Sequence, residues 1–335
     1  MTTGVPIEVQ GPYFDELAVG QRFDTAPEVT LTEGQAALHQ AIVGDRLRLP
    51  LDAGLAHAVT GRAPLAHPAL VWDLAIGQST LATHHVRANL FYRGFVVRRL
   101  PRIGDTLSTV TEVVGLRQNR AREGRAPTGL AALRIETTDQ DGRPVLDFWR
   151  CAMLPLRDPA RDTGHHDDLD TIGTNPTVAD YAAAVDGWQL APFADRPRGP
   201  RFADLAVATT YRVVGADVVS SAPELARLTL NIARVHHDAV AAGGQRLVYG
   251  GHTIGLAMAQ LTRALPNLVT VAGWDGCDHL GPVHEGDLLS STVTVENLTP
   301  LPSGEGGLVH LRIDVEAHGD EPRPVLLWRC VAVLA

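Results

Sequence analysis

The chain has 335 residues, room for about two domains of roughly 150 residues each, and its 45% hydrophobic and 20% charged residues are ordinary for a globular protein. A net charge of −9 with no dense basic run argues against nucleic-acid binding. No run of about 18 apolar residues could span a bilayer, and Met1-Thr2-Thr3-Gly4-Val5-Pro6-Ile7-Glu8 has neither a positive nor an apolar leader region, so a cytoplasmic protein without membrane contact is expected.

In chain order, Thr32-Glu33-Gly34-Gln35 has capping-box spacing ahead of a helical run through Ile42. Strand-like stretches follow at 106–116, 130–138 and 145–154. The stretch from Asp158 to about Gly199 is rich in turn formers and reads as an exposed connector with a short helix at 178–184. Beyond it, Ile254, Ala257, Met258, Leu261 and Leu265 recur at helical spacing after Gly250-Gly251, and further strands are expected at 288–298, 308–317 and 325–334.

The halves match each other in order. Phe14-Asp15-Glu16-Leu17-Ala18-Val19 answers Phe202-Ala203-Asp204-Leu205-Ala206-Val207, Ala66-His67 answers Gly251-His252, and Gly104-Asp105 answers Gly286-Asp287. Arg143-Pro144-Val145-Leu146 with Trp149-Arg150-Cys151 answers Arg323-Pro324-Val325-Leu326 with Trp328-Arg329-Cys330. Collinear matches imply a duplicated unit of about 150 residues. The expected domains are therefore 10–157 and 200–335, joined by a 158–199 linker, with long antiparallel strands around one buried helix per unit.

All 29 basic residues are arginine. Without lysine, neither a Schiff base nor a phosphate-cradling P-loop lysine is available. Cys151, Cys277 and Cys330 are too few and too scattered for a zinc cluster or a disulfide framework. His165-His166-Asp167-Asp168 and His236-His237-Asp238 look metal-ligating, but adjacent histidines rarely face one cation, so no metal is expected. No Gly-x-Ser-x-Gly elbow and no Gly-x-Gly-x-x-Gly after a strand is present.

The densest chemistry lies in Asn231-Ile232-Ala233-Arg234-Val235-His236 and Tyr249-Gly250-Gly251-His252. It sets an amide and an imidazole ahead of a glycine turn that opens a helix. With Arg246, His279, Pro282, Gly286-Asp287 and, in the first unit, Ala88-Asn89-Leu90 and Gly104-Asp105-Thr106-Leu107, these residues resemble the MaoC-like acyl-CoA dehydratases, in particular the double hot-dog branch containing mesaconyl-CoA hydratase (β-methylmalyl-CoA dehydratase). The resemblance covers nearly the whole chain. It implies an α+β double hot-dog fold, two antiparallel sheets each wrapped round a central helix. The wider (R)-specific hydratase pattern, Gly-Asp-x-Asn-Pro-φ-His, reads here Leu230-Asn231-Ile232-Ala233-Arg234-Val235-His236, keeping the imidazole and losing the acid. In the first unit Gly44-Asp45 stands, but no histidine follows in register, so that unit is expected to be catalytically degenerate.

The implied activity is reversible hydration of a 2-enoyl-CoA to a 3-hydroxyacyl-CoA, with no cofactor beyond the coenzyme A of the substrate. His236 would serve as base and acid, Asn231 as water positioner and the Gly251 N–H as oxyanion donor, with Tyr249, Gly250, His252, Arg246 and His279 binding substrate. Arg98, Arg99, Arg102 and Arg246 are candidates for the coenzyme A phosphates. A histidine packed for no catalytic purpose, a structural asparagine and a glycine needed only for a tight turn are the competing readings of the three central residues. An acyl-CoA thioesterase and a non-catalytic acyl-CoA binding protein are the alternative functions, and the oligomeric state is expected to be monomer or homodimer.

Overall fold

The computed structural model describes residues 6–195 and 198–335. Met1–Val5, the first part of the stretch searched for a leader, and Arg196–Pro197 of the connector lie outside them. The first unit contains β1 (Arg22–Phe23), β2 (Val29–Thr30), α1 (Glu33–Val43), α2 (Arg48–Leu51), α3 (Ala53–Thr60), α4 (Pro68–Gln78), β3 (Ala88–Val97), β4 (Thr106–Gln118), β5 (Thr128–Asp139) and β6 (Pro144–Pro155). The connector carries α5 (Val178–Ala183) and α6 (Ala191–Ala194). The second unit contains β7 (Thr210–Arg212), β8 (Asp217–Val218), α7 (Ala222–Leu228), α8 (Gly250–Ala264), β9 (Leu268–His279), β10 (Leu288–Pro300), β11 (Gly307–Ala317) and β12 (Arg323–Leu334). The predicted capping box is present, Thr32 accepting from the Gln35 N–H while Gln35 reaches back to Thr32.

Every residue of α4 is buried, as are Gly251 to Thr262 of α8, so each is covered on all sides. The two wrapping sheets are continuous. β3 pairs antiparallel with β9 at Phe95–Trp274 and Val96–Gly273, giving the order β1-β4-β5-β6-β3-β9-β12-β11-β10-β7. At this seam Phe95 stacks on Trp274 at 3.9 Å between centroids, and Trp72 of α4 meets Trp274 edge-on at 5.2 Å. Gly273 is required there, because a Cβ would run into the Phe95 carbonyl and the Tyr181 ring.

The duplication is visible in packing. Phe14 lies against Gly129 of β5, and Phe202 against Gly307 of β11, each where a Cβ would collide with the ring. Two of the matched sequence pairs, however, are out of step in space. Phe148 and Trp328 lie opposite Ile135 and Ile313 on the neighbouring strands, so Trp328 corresponds to Phe148 and Arg150 corresponds to Cys330. Trp149 therefore faces outward beneath the Arg134 guanidinium, whereas Trp328 points inward to Trp274. A one-residue offset exchanges the faces of a strand. Likewise His67 caps α4 as Tyr249 precedes α8, so His67 corresponds to Tyr249, not His252.

The connector is not simply exposed. Tyr181, Trp188, Leu190 and Phe193 are buried, and the Tyr181 hydroxyl donates to Asp275 at 2.9 Å, strapping the segment across the sheet.

Candidate active site

A cavity of about 340 Å³ opens between the units, lined from the second by Asn231, His236, Tyr249, Gly250 and His279 and from the first by Thr80, Thr83, Asn89, Tyr92 and Arg150. The loop after α7 is clamped to the first unit. Ile232 N–H donates to Thr80 Oγ1 at 3.0 Å, Arg234 N–H donates to the His84 carbonyl at 3.0 Å, and Gly77 of α4 packs so tightly on the Thr229 carbonyl that a Cβ has no room. The predicted amide and imidazole are thereby carried to the end of the other unit's central helix.

His236 closes a short turn, Arg234–His236. Its Nδ1 lies 2.8 Å from the Leu247 carbonyl, which can only accept, so Nδ1 carries the proton and Nε2 keeps its lone pair toward the cavity. Burial, reinforced by the nearby His237, His279 and Arg150, pulls its pKa down to about 4. The ring is neutral at pH 7 and available as a base. Asn231 is buried, and its side-chain oxygen is occupied by the Ala233 N–H at 3.0 Å, which leaves the NH2 group for the cavity. The Tyr249 ring meets His236 edge-on at 5.8 Å, and its hydroxyl donates to Asp73 Oδ1 of α4 at 3.1 Å. Burial first, and the Asp73 charge second, hold that phenol well above its usual range.

Of the two glycines, Gly250 lines the cavity, and Gly251 lies deeper, where a Cβ would collide with Asp73 and the Tyr249 ring. Both precede the first intrahelical acceptor pairing of α8, so their N–H groups have no partner in the helix. His252 turns away from the cavity. It is fully buried near His39, neither ring nitrogen has a partner among the described residues, and burial lowers it to about 4. Arg246 is not a cavity residue either, since its guanidinium pairs with Glu285 at 2.8 Å. Arg98 and Arg99 pair with Asp180 and Asp139. With Arg102 they follow the far end of β3, roughly 30 Å from Ala88 at a strand rise of about 3.3 Å per residue, so they do not serve this cavity.

Arg150 had not been expected here. It is 4% exposed, Nη2 donates to Ser79 Oγ at 2.9 Å and Thr83 Oγ1 at 2.8 Å, and among the described residues Nε has no partner and no carboxylate pairs with it. Its signal in the sequence is an arginine on the inward phase of β6, in line with Leu146, Phe148, Ala152 and Leu154. Asp73 was equally hidden, a lone acid inside an apolar helix. Among the described residues no group of three or more His, Cys, Asp or Glu side chains is arranged to hold a metal ion, and no helix is long and apolar enough to cross a membrane.

A conserved hypothetical protein of Mycobacterium tuberculosis with a double hot-dog fold is 54% identical to this chain, superimposes with a TM-score of 0.92, and is matched over 98% of this chain and 100% of its own. The chain belongs to the double hot-dog proteins. A MaoC-domain protein of Chloroflexus aurantiacus has the same fold, at TM-score 0.85, 24% identity and 97% coverage of both chains. Among curated proteins, β-methylmalyl-CoA dehydratase of Chloroflexus aurantiacus is 28% identical over 325 residues, 93% of this chain and 89% of the relative. Mesaconyl-CoA hydratase of Cereibacter sphaeroides is 28% identical over 326 residues, 93% and 91% of the two chains. No family model matches the chain. Within this double hot-dog architecture, the cavity lies where the helix of one unit starts and the helix of the other ends.

Proposed function

We propose that the protein reversibly adds water across the double bond of a 2-enoyl-CoA, giving a 3-hydroxyacyl-CoA, with no cofactor besides the coenzyme A of the substrate. The observation that carries this reading is the convergence, in one cavity, of a neutral imidazole with a free lone pair and the unpaired N–H groups at the start of α8. His236 Nε2 takes a proton from water as the oxygen bonds to Cβ, the π electrons move to the thioester oxygen, and the same imidazolium returns the proton to Cα. The Asn231 NH2 group orients the water, and the α8 N-terminus stabilises the enolate. The names of the two curated relatives carry a second carboxylate on the acyl group, and Arg150 is a buried cation with no counter-ion among the described residues. An acyl chain ending in a carboxylate is thus the preferred substrate in this reading.

The test follows loss of enoyl-thioester absorbance with crotonyl-CoA and mesaconyl-CoA for the native protein, His236→Ala and Arg150→Leu. His236→Ala should lower turnover of both about 10²- to 10⁴-fold, and Arg150→Leu should cost mesaconyl-CoA at least about tenfold more in kcat/KM than crotonyl-CoA, as loss of a desolvated charge pair would. Equal rates for native protein and His236→Ala remove the base from the scheme. The amide at Asn231, in place of an acid, favours one rival, a protein that binds acyl-CoA without converting it. Tight binding with no turnover of any enoyl-CoA would establish that rival, whereas release of free thiol would indicate thioester hydrolysis.

A further inference from the structure

Two imidazoles face the cavity, and the scheme above employs one. His279 is the last residue of β9, opposite Leu326 of β12, and its ring lies edge-on to Tyr92 at 6.5 Å. On its other side it lies against the start of α8. A Cβ built on Gly250 would stand only 2.6 Å from both Cε1 and Nε2 of the ring, so the imidazole fills the space that a side chain at that position would take. Its edge therefore lies against the first residue of the helix. Neither ring nitrogen has a hydrogen-bond or ion-pair partner among the described residues, in contrast to His236, whose Nδ1 is tied to Leu247. Burial alone brings the ring down to about 4, so it is neutral at pH 7.

A neutral imidazole always carries one N–H, and an untied ring can present it to a ligand. Pointed at an enolate oxygen, such a group donates without giving up its proton. The helix supplies a main-chain donor at the same spot. Catalytic schemes with one main-chain donor leave the second lone pair of a thioester oxygen unfilled, and His279 is the polar side chain placed to fill it.

We propose that His279 is a second oxyanion donor, its ring N–H and the Gly250 N–H together holding the thioester oxygen while His236 moves the proton. This inference rests on the hydratase reading and assigns His279 a role in charge stabilisation beyond contact with the substrate. No bond to His279 forms or breaks: water's proton passes to His236, hydroxide adds at Cβ, and the electron pair displaced to the oxygen returns to Cα as His236 gives the proton back.

The test is spectroscopic and does not need turnover. Dimethylaminocinnamoyl-CoA absorbs further to the red when its carbonyl is polarised, and it is titrated to saturation into native protein, His279→Gln and His279→Leu, each checked for a native circular dichroism spectrum. The native protein should shift the band to the red, His279→Gln, which keeps an N–H, should retain part of the shift, and His279→Leu should lose most of it. With crotonyl-CoA, kcat of His279→Leu should fall about 10²- to 10³-fold, as when one oxyanion donor is removed, with a much smaller change in KM. A native-sized shift and native kcat in His279→Leu overturn the proposal, as does a raised KM with unchanged kcat, which marks a wall residue. If His279→Leu does not fold, a full native shift with His279→Ala decides against it. A red shift lost in His279→Leu, in a protein that hydrates no enoyl-CoA, would keep the donor and discard the hydratase reading.

Discussion

Two places in the molecule are built on the same backbone and filled differently. After α1, Gly44 at φ 70° leads into Asp45, whose carboxylate accepts from the Leu47 N–H at 2.6 Å. After α7, Leu230 at φ 58° leads into Asn231, whose side-chain oxygen accepts from the Ala233 N–H at 3.0 Å. Beyond that shared turn the paths part. In the first unit α2 and α3 fold over the position, and His67 closes on Asp45 at 3.1 Å, with both groups buried. In the second unit the short turn at His236 and the loop behind it leave a cavity. The acid survives where a buried histidine closes on it, and the amide stands on a cavity. In the proposed reading the second unit holds the working end, and the first unit contributes Asp73, Thr80, Thr83 and Arg150 to it across the interface.

The comparison breaks most severely at the base. His236→Ala should lower hydration about 10²- to 10⁴-fold, the usual worth of a positioned general base, while thermal stability changes little because the ring makes a single main-chain hydrogen bond. Enoyl-thioester absorbance and a melting curve of the same sample check both halves of that statement. Next comes the clamp between units. Gly77→Ala forces a methyl group onto the Thr229 carbonyl, backbone against backbone, and should cost roughly 3 kcal/mol in denaturant unfolding and carry activity down with it.

The histidines of the second unit sharpen the contrast through pH. His236, His252 and His279 all fall to about 4 when folded, so between about pH 6.5 and 4 the unfolded chain holds protons that the folded chain does not. Stability therefore rises with pH across that window and is lost as pH falls through it. His252, fully enclosed, should account for about 1–2 kcal/mol of the loss between pH 7 and 5, and the two cavity histidines for less because water reaches them. A thermal midpoint that does not move between pH 7 and 5 would contradict this. The smallest effect belongs to the closed end. Asp45→Asn keeps the oxygen that caps Leu47 and should leave hydration within about twofold of native, since Asp45 is buried and does not line the cavity of the second unit; a larger fall in kcat would make the first unit a working site.

Much of this architecture could be read from the chain. The capping box at Thr32 and the six alternating strands appear within a few residues of their expected bounds, because local hydrogen bonding and a half-buried pleat write short-range patterns. The seam strands β3 and β9 did not announce themselves, as Gly94, Gly273 and Gly276 interrupt the alternation and their pairing depends on the other unit. The Trp-Arg-Cys match misled by one residue, since identity of letters carries no information about which face a strand presents. His236, Asn231, Tyr249, Gly250 and His279 were expected around one ligand, and the structure brings them to one cavity. Arg246, His252 and Gly251, the expected oxyanion donor, do not line it: Arg246 is held by Glu285, His252 is rotated into the core of the helix packing, and Gly251 lies against Asp73 and the Tyr249 ring, leaving Gly250 at the cavity. Asp73 and Arg150 were invisible as site residues because their relevance comes from the opposite unit, a relation no linear pattern records.

The most direct measurement is a structure of the protein with butyryl-CoA, whose saturated chain cannot be hydrated. The thioester oxygen should lie within about 3 Å of the Gly250 N–H, with Cβ on the side of His236 Nε2 and the pantetheine arm leaving between Ala88 and Leu280. An acyl chain bound elsewhere, or a carbonyl pointing away from the start of α8, would contradict the account.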